Sequence, residues 1–320
     1  MSLLISVVIC TYNRANWLAA ALQSVCEQAL DSSEYEVIVV DNNSTDNTRA
    51  VTESFALRFP NVRYLFEPQQ GNSHARNVGW QEAKAKYIAF IDDDCKVPEQ
   101  WLMKAKEIIE NLSPGVFGGP YFAFHNTPKP RWFKESYESY VPSHEACVLE
   151  KPSHLVAGNF FARRNVLEKS GGFDPTWGIV GEKRAYGEET ELLVRIHRLM
   201  PQEMMYYDPK LFVYHLVRPE KTTWRWIIRD RFDRGRYHYR AFQLPPPEQI
   251  RPLQLLLKIV IIVAVLALSP VVGALFRDRT KYPFIQNHLY ESSCRYITSL
   301  GRAYEQYRHL ASRKNAKGYK

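Results

Sequence analysis

The chain is predicted to fold as an α/β domain with a mostly parallel central sheet, followed by a helical, membrane-associated appendage. Short β-forming runs alternate with segments of helical periodicity over residues 5–91, which is the pattern of parallel strands joined by crossover helices. The 320 residues, 45% of them hydrophobic, suffice to bury a large core. A long uncharged apolar run occupies residues 259–276 and predicts the appendage.

The first four strands and three helices are predicted in strict alternation. The strands are expected at residues 5–9, 35–40, 62–66 and 87–91, and the helices at about residues 17–28, 47–59 and 74–84. Beyond Gly115 the alternation lapses, and a clear amphipathic helix returns only near Glu188. We therefore expect a domain of residues 1–243 whose organisation changes at about residue 115. Residues 244–320 are expected to form a membrane-associated helical region with a basic tail.

The formal net charge of +8 is unevenly distributed along the chain. Residues 1–214 carry a net charge of −5, and residues 215–320 carry +13. A basic segment suits nucleic acid or anionic lipid, and the apolar run within it favours lipid, so no nucleic-acid partner is expected.

Five scattered cysteines without a CxxC pair indicate reduced thiols. The apolar start of the chain has no basic region before it and is read as a first strand, which places the machinery on the cytoplasmic face of the cell membrane.

Three adjacent aspartates end the fourth predicted strand. The run YIAFI is followed directly by Asp92, Asp93 and Asp94, and Pro98 is predicted to open a helix soon afterwards. In an α/β sheet, ligands collect at the carboxyl ends of the strands. Three like charges repel one another there unless a cation or several N–H donors compensate them, and oxygen ligands suit Mg²⁺ or Mn²⁺ held against a substrate phosphate. A solvated acidic turn that caps the following helix is the alternative.

Another aspartate, Asp41, follows the second predicted strand. Parallel strands place Asp41 and the acidic triplet on the same edge of the sheet, so a nucleotide can lie across that edge. An ordinary helix cap is the alternative for Asp41 taken alone. Its combination with Arg76 and the acidic triplet favours a nucleotide site.

Seven motifs, in this order, resemble the family 2 glycosyltransferases, an inverting group with the GT-A fold. They are SVVICTYNR, VVDNNSTDNT, HARNVGW, FIDDD, GNFFARR, GGFDP and YGEETELLVRI, and they cover residues of about 4–240. The resemblance implies a Rossmann-like, nucleotide-diphospho-sugar transferase domain. It further implies a nucleotide-binding half at about residues 1–115 and an acceptor half at about residues 116–243. It also implies metal-dependent, inverting transfer of a hexosyl-type sugar to an acceptor hydroxyl.

The same resemblance implies which residues contact the nucleotide. In the family, the turn after the first strand and the aspartate after the second hold the nucleobase. An arginine commonly reaches the nucleotide, and the first two positions of the acidic triplet lie near the ribose and the metal. The matching residues of this chain are Thr11, Tyr12, Asp41, Arg76, Asp92 and Asp93.

Metal and catalytic residues are implied in the same way. Asp94 matches the principal metal ligand, with Asp92 beside it, and His215 resembles a histidine that related enzymes place near the metal or the diphosphate. A packed or solvated side chain is the alternative for His215. The family's catalytic base lies in an acidic pair at the start of a late helix, usually glutamate then aspartate. Here the pair is Glu188 and Glu189, so Glu189 is expected to be the base, with one methylene more than usual and with Glu188 as the alternative.

Four further residues complete the expected site. Arg231 and Arg234 follow His215 at a distance that allows them to fold back and grip the diphosphate, although lipid head groups are an equal alternative for both. Asn159 and Trp177, which lie in or just after two of the motifs, are expected on the acceptor side.

The apolar run can be placed in a membrane in more than one way. Its 18 residues give a helix of about 27 Å, just short of a hydrocarbon core of about 30 Å. A helix that also includes residues 255–257 is long enough to cross the hydrocarbon core, if the charged end of Lys258 extends to the membrane surface. Basic residues flank both ends of the run, so the distribution of charge does not determine the orientation of the helix. A spanning helix, a re-entrant hairpin and a buried core helix all remain open. Residues 223–242 are predicted to form an interfacial helix.

The expected partners are a nucleoside diphosphate sugar, with a UDP-sugar favoured, a glycan or lipid-linked acceptor, and anionic membrane lipids. A nucleotidyltransferase is the enzymatic alternative, but it requires a glycine-rich basic loop after the first strand, and CTYNRANW is not such a loop. A non-catalytic carbohydrate-binding or scaffold protein on the same fold predicts a broken acidic triplet or a missing base. Neither is seen in the sequence.

Overall fold

The structure of the chain, a computed structural model, describes residues 3–150, 155–180, 186–242 and 249–317. It divides into two compact units. The first, here called the sheet unit, consists of Met1–Asn126, Glu135–Arg184 and Glu188–Leu216. The second, the helical unit, consists of Thr127–Lys134, Ala185–Gly187 and Val217–Lys320. Three consecutive prolines at residues 245–247, a composition that predicts a linker, lie outside the described residues.

Strands and helices alternate through the first third of the sheet unit, as the sequence predicts. The elements are β1 (Ile5–Thr11), α1 (Ala15–Cys26), β2 (Tyr35–Asp41), α2 (Thr48–Arg58), β3 (Val62–Phe66), α3 (Asn72–Glu82), β4 (Tyr87–Asp92), β5 (Cys95–Lys96) and α4 (Trp101–Leu112). The later elements are shorter: β6 (Val116–Gly118), β7 (Tyr121–Phe124), β8 (Cys147–Val148), β9 (Phe160–Arg163), α5 (Arg164–Ser170), α6 (Glu188–Leu199), β10 (Met205–Tyr207) and β11 (Val213–Leu216).

An eight-stranded sheet in the order β3-β2-β1-β4-β9-β6-β10-β8 forms the centre of this unit. Strands β3, β2, β1 and β4 are mutually parallel, and β9 runs antiparallel between β4 and β6. Strand β1 is buried on both faces, because Val7 and Ile9 enter one hydrophobic core and Val8 enters the other. Burial on both faces explains why the strands read as continuous apolar runs in the sequence. The prediction of a mostly parallel α/β sheet is confirmed.

The connections reverse direction between β1 and β4, and this point positions the site. Strands β2 and β3 lie on one side of β1, whereas β4 lies on the other. A crevice opens at the carboxyl ends of strands where such a reversal occurs. In the strand register Cys10 pairs with Asp92, so the end of β1 and the start of the acidic turn lie side by side.

A second, three-stranded sheet in the order β5-β11-β7 lies next to the acidic turn in sequence and in space. Strand β5 pairs antiparallel with β11, which sets His215 opposite Cys95. The backbone N–H of Leu216 donates to the carbonyl of Asp94 at 2.9 Å. The small sheet therefore fixes the backbone of the triplet and brings a residue from 121 positions later in the chain to its side.

Close packing of α3 against the main sheet depends on Gly79. A Cβ atom at this position would lie 2.3 Å from Cγ1 of Val8 and 3.2 Å from Cγ2 of Val40. The missing side chain lets α3 approach β1 and β2 closely. Arg76, one helical turn earlier and only 3% exposed, thereby reaches the carboxyl edge of the sheet.

The helical unit is built on three long helices: α7 (Trp224–Phe242), α8 (Pro252–Phe276) and α9 (Ile285–Lys317). Helices α7 and α9 touch backbone to backbone, because a Cβ on Gly235 or on Gly301 would lie 1.9 Å from a carbonyl oxygen of the other helix. Helix α8 packs on α9 through Ser269, whose hydroxyl lies 2.9 Å from that of Ser292. The sequence predicts α7 and the apolar core of α8, but the 33-residue α9 falls where only a basic tail was expected.

Side-chain hydrogen bonds connect the loop after β1 to the loop after β2. Asn13, with a φ of 53°, accepts a hydrogen bond from the backbone N–H of Thr45 through its side chain at 2.7 Å. Asp46 accepts from the first N–H groups of two helices, Ala15 of α1 at 2.9 Å and Thr48 of α2 at 3.0 Å. One carboxylate therefore orients the starts of both helices and with them the loops at the sheet edge.

We predict that Asp46→Ala lowers the free energy of unfolding by about 1–2 kcal/mol, because the substitution removes the acceptor for two helix starts. Burial alone would raise the pKa of Asp46, but its hydrogen bonds with Thr48 and Ala15 outweigh burial and lower it. The stabilising effect is therefore present at neutral pH and is lost as the pH falls through this lowered pKa.

Urea denaturation of the variant checks the prediction, with Asp31→Ala as the control. Asp31 is exposed, and its carboxylate accepts hydrogen bonds from Ser33, two residues later, and from no helix start among the described residues. Equal stability of the two variants would show that Asp46 does not hold the helix starts.

Candidate active site

The three aspartates after β4 face three different partners. Asp92 Oδ1 lies 3.3 Å from Nη2 of Arg76, and Asp93 Oδ1 lies 2.9 Å from Nη1 of Arg14. Asp94 Oδ1 lies 3.4 Å from Nε2 of His215. The turn thus spreads its charges over cationic and imidazole groups from three separate segments. A solvated helix cap does not describe it, since Asp93 and Asp94 are both buried.

Asp93 is paired with Arg14 and not with Arg76 or His215, the partners of Asp92 and Asp94. Burial raises the pKa of Asp93 to about 6, although the Arg14 guanidinium opposes this rise, and the adjacent Asp94 adds to it. The charge of Asp93 in turn raises the pKa of Arg14 above its ordinary value. The pair has the geometry of a fixed support for the turn.

Asp92, Asp94, Cys95 and His215 form a cluster that fits a divalent ion. Their ligand atoms all lie within 4.8 Å of one another. Two carboxylates and an imidazole are ligands that Mn²⁺ accepts, and carboxylates alone suit Mg²⁺. The Cys95 thiol is less suited to these hard ions, and it also belongs to the hydrophobic core. The first-choice ligands are therefore Asp92, Asp94 and His215.

Glu188, the first residue of α6, is held by two donors from α3. Nη1 of Arg76 and Nδ2 of Asn72 each donate to Glu188 Oε1 at 2.8 Å. Burial by itself would lower the pKa of Arg76, but the charges of Glu188 and Asp92 outweigh it and raise that pKa, so the guanidinium stays ionised. Arg76 therefore joins the start of α6 to the acidic turn.

Glu189 is oriented differently from its neighbour. Among the described residues, its carboxylate has no ion pair and no hydrogen bond with another side chain, and it is only half-buried. Burial, followed by the charge of Glu188, raises the pKa of Glu189 to about 8, and Arg76 acts in the opposite direction. A carboxylate with a raised pKa that is not engaged by other groups is the kind of group that accepts a proton near neutral pH.

The expected nucleobase pocket lies along the ends of β1 and β2. Asp41 is buried and accepts from the backbone N–H of Ser44 at 2.9 Å and from the Tyr64 hydroxyl at 2.8 Å. The Thr11 hydroxyl is buried beside Asp93, and among the described residues it has no hydrogen bond of ordinary geometry. Tyr12 is half-buried at the same edge. Polar atoms with spare hydrogen-bonding capacity therefore face the edge where a nucleotide was predicted.

The remaining expected residues have other contacts. Asn159 is fully buried and bonds Trp101, Pro120 and Leu211, so its amide holds three chain segments together. The carbonyl of Trp177 accepts from Ser73 Oγ at 2.7 Å, which ties its loop to the start of α3.

Arg231 and Arg234 belong to the helical unit. Arg231 bonds Tyr290, and Arg234 bonds Asp230 at 2.8 Å. Their predicted grip on a diphosphate stays a prediction.

Three contributors to the site were not identified from the sequence. Arg14, Asn72 and Cys95 touch or adjoin the acidic groups, yet none carries a strong local signal. Arg14 and Asn72 lie just before or within a helical start where polar residues are ordinary, and a lone cysteine without a partner indicates no metal. Only the folded chain shows which acidic group each of them faces.

Comparison with solved structures defines the class of fold. The mannosyltransferase PcManGT from Pyrobaculum calidifontis, solved with GDP-Man and Mn²⁺, matches with a TM-score of 0.59 at 19% identity, over 96% of this chain and 86% of its own. TarS from S. aureus, solved with UDP-GlcNAc, matches with a TM-score of 0.55 at 15% identity, over 95% and 92%. The fold is therefore of the GT-A type, as predicted.

Sequence comparison identifies the family. The family model "Glycosyl transferase family 2" matches residues 6–171, and on this match the chain belongs to that family. Glycosyltransferase AglE of Haloferax volcanii is 32% identical over 171 residues, 53% of this chain and 55% of AglE. Succinoglycan biosynthesis protein ExoM of Rhizobium meliloti is 25% identical over 242 residues, 74% of each chain. The match with AglE spans only about half the length of that relative.

The metal cluster makes a prediction that does not depend on enzymatic activity. Asp94→Asn is expected to weaken Mn²⁺ binding by at least tenfold, because it removes the ligand charge that faces His215. Asp93→Asn, the matched control, is expected to keep Mn²⁺ affinity within about threefold, since Asp93 faces Arg14. Titration of Mn²⁺ followed by electron paramagnetic resonance measures both affinities. Similar affinities for Asp94→Asn and the parent protein would remove Asp94 from the ligand set.

Proposed function

We propose that this protein transfers a sugar from a nucleoside diphosphate sugar to an acceptor hydroxyl, with a divalent metal and with inversion at the anomeric carbon. One observation carries the proposal. Arg76 binds both Asp92 of the acidic turn and Glu188 of α6, and the adjacent Glu189 has no side-chain partner in the described parts of the chain. Metal-binding and base groups are thereby brought to one crevice.

The groups of the acidic turn are proposed to hold the donor diphosphate. Asp92, Asp94 and His215 would bind a divalent ion, which when present neutralises the charge that develops on the leaving diphosphate. Thr11, Tyr12 and Asp41 would hold the nucleobase along the adjoining strand ends. Arg76 is a positioning residue in this scheme, because its guanidinium is occupied by two carboxylates.

Glu189 is proposed as the general base. An incoming hydroxyl must lose its proton as its oxygen bonds to the anomeric carbon, and a carboxylate on the face opposite the diphosphate takes that proton. The bond from the anomeric carbon to the diphosphate oxygen breaks in the same displacement, so the configuration inverts. Glu188 is a weaker candidate, since two donors already occupy its Oε1.

The substrate classes rest on the relatives. The two matched structures contain GDP-Man and UDP-GlcNAc, which supports a nucleotide-sugar donor for this chain, and a UDP-sugar is the first donor to test. ExoM is named for succinoglycan biosynthesis, which supports a glycan or lipid-linked precursor as acceptor. Our proposal further takes a hexose as the group transferred and Asn159 and Trp177 as residues of the acceptor side. Arg231 and Arg234 remain candidates for gripping the diphosphate.

A non-catalytic carbohydrate-binding role would leave the base unnecessary. The half-buried Glu189, whose pKa is raised by burial and by Glu188, lies beside the intact acidic cluster and favours catalysis over binding alone.

Helix α8 is proposed to attach the protein to the cytoplasmic face of the membrane by lying in one leaflet. The helix is long and apolar enough to cross a bilayer, and most of its surface is exposed within the described residues. Helix α8 packs along α9, however, through the contact between Ser269 and Ser292. Arg295 and Arg302 lie further along α9. A spanning α8 would carry these charges into hydrocarbon, which is costly. An in-plane α8 leaves them in water and buries only its own apolar side.

The role of Glu189 is tested by substitution. Glu189→Gln is expected to reduce transfer by about 10²–10⁴-fold with unchanged donor affinity, because the amide keeps the shape of the side chain and accepts no proton. Glu191→Gln, on the same helical turn, is the control. Glu191 Oε2 lies 2.8 Å from Nη2 of Arg195. The Glu191→Gln substitution is expected to change the rate of transfer by less than about fivefold. Loss concentrated in Glu188→Gln instead would move the base one residue back.

The pH profile gives an independent measure of the same group. The base must be deprotonated, so kcat/KM is expected to rise with pH along a limb centred well above 4.3, the ordinary pKa of a glutamate. The direction follows from burial and the charge of Glu188, both of which raise the pKa of Glu189. A limb centred near 4 would contradict this environment for the base.

Membrane attachment by α8 is tested with Leu268→Asp. Leu268 is 59% exposed on the apolar side of α8, and a charge there is expected to weaken vesicle binding about tenfold or more. Leu57→Asp in the sheet unit, at a 90% exposed position, is the control and is expected to bind vesicles as the parent does. In-plane insertion further predicts that protease added outside sealed vesicles cleaves both before and after α8. Protection of residues 277–317 would contradict it.

A further inference from the structure

A groove of about 470 Å³ lies within the helical unit, among α7, α8 and α9. Its floor is apolar: Ile228 and Phe232 come from α7, Leu266 from α8 and Ile297 from α9. Its volume falls in the range of small-molecule sites. Nothing in the proposed transfer reaction requires this groove.

Two arginines of α7, Arg225 and Arg229, line the same groove through their apolar stems, one helical turn apart. Both are exposed, and neither side chain makes an ion pair, hydrogen bond or ring contact in the described parts of the chain. Two other arginines of α7 are engaged: Arg234 pairs with Asp230 at 2.8 Å, and Arg236 pairs with Glu305 at 3.0 Å. Within the described residues, Arg225 and Arg229 are thus left without a charged partner at the groove.

The groove opens where the helical unit is most apolar. Ile228 in its floor is itself 48% exposed, and Leu266 belongs to α8, whose neighbouring Val263 and Leu268 are 52% and 59% exposed. A chain of hydrocarbon entering the groove would thus remain continuous with the apolar side of α8. A free phosphate would neutralise the arginines but leave this apolar floor uncovered.

We propose that the groove binds an anionic glycerophospholipid of the bilayer, with its phosphate on Arg225 and Arg229 and an acyl chain along Ile228, Phe232 and Leu266. The two observations are complementary, since the unpaired cations fit the phosphate and the apolar floor fits the chain. Guanidinium groups bind phosphate through two parallel N–H donors, which suits them to this role. A lipid bound at this site would fix the depth of the helical unit in the membrane. This proposal does not depend on the transfer reaction proposed above.

The test uses the full-length protein and vesicles of phosphatidylcholine with or without 30% phosphatidylglycerol, a composition chosen as about physiological in its charge. Arg225→Gln/Arg229→Gln is compared with Arg279→Gln/Lys281→Gln, which removes two exposed positive charges just after α8. Flotation is expected to show at least a tenfold loss of affinity for the anionic vesicles in the groove variant and less than about threefold in the control. Equal losses in the two variants would overturn the proposal, because general charge attraction would then explain binding.

Native mass spectrometry of detergent-purified protein supplies a readout that folding defects do not imitate. The parent protein and the control variant are expected to carry one phosphatidylglycerol after incubation with that lipid, and the groove variant none. Retention of the lipid by a folded groove variant overturns the proposal. Preference for a polyprenyl phosphate over phosphatidylglycerol also overturns it, since the groove would then be an acceptor site.

Discussion

The candidate site depends on one buried cation, the guanidinium of Arg76. It lies 2.8 Å from Glu188 and 3.3 Å from Asp92, so it joins the start of α6 to the end of β4, which are 96 residues apart in the sequence. Removing one partner of such a buried set typically costs about 3–5 kcal/mol, because the remaining charges lose their compensation. Gly79 makes this position reachable, since only a residue without a side chain lets α3 lie so close to β1.

Near Arg76, adjacent carboxylates have different roles because they differ in burial and in the charged groups that they contact. Asp93 is paired with Arg14 and supports the turn, whereas Asp94 faces His215 within the cluster that fits a divalent ion. Glu188 accepts hydrogen bonds from two side chains, whereas Glu189 accepts none from the side chains that the structure describes, and burial raises the pKa of Glu189. Identical side chains in adjacent positions are thus separated by what each one faces, and the same principle separates Arg225 and Arg229 from the paired arginines of α7.

Much of the fold was predictable because it is encoded locally. The apolar runs of β1, β2 and β4 and the helical periodicity between them are properties of short windows, and the order of seven motifs indicated the family. Only the general location of the site was predictable. Parallel strands end at the same edge of a sheet, so Asp41 and the acidic triplet had to lie along that edge. The pairing of individual carboxylates was mostly not predictable, because Arg14 and Asn72 reach Asp93 and Glu188 from distant segments of the chain. His215 beside Asp94 was expected only from the family resemblance. Helix α9 was missed for a similar reason: its many charged and tyrosine side chains show no apolar stripe strong enough to predict 33 helical residues, and its packing on α7 and α8 supplies the stability.

The central claim is that the acidic turn and the start of α6 form one site for a metal-bound nucleoside diphosphate. Anomalous diffraction from crystals grown with Mn²⁺ and UDP, or GDP if UDP does not bind, tests it most directly. The account predicts an anomalous peak within coordination distance of Asp94 and His215, with the diphosphate bound to the same ion and Glu189 facing the empty sugar position. A nucleotide bound at the strand ends with Mn²⁺ elsewhere, or a metal held by Glu188 and Glu189, would contradict it.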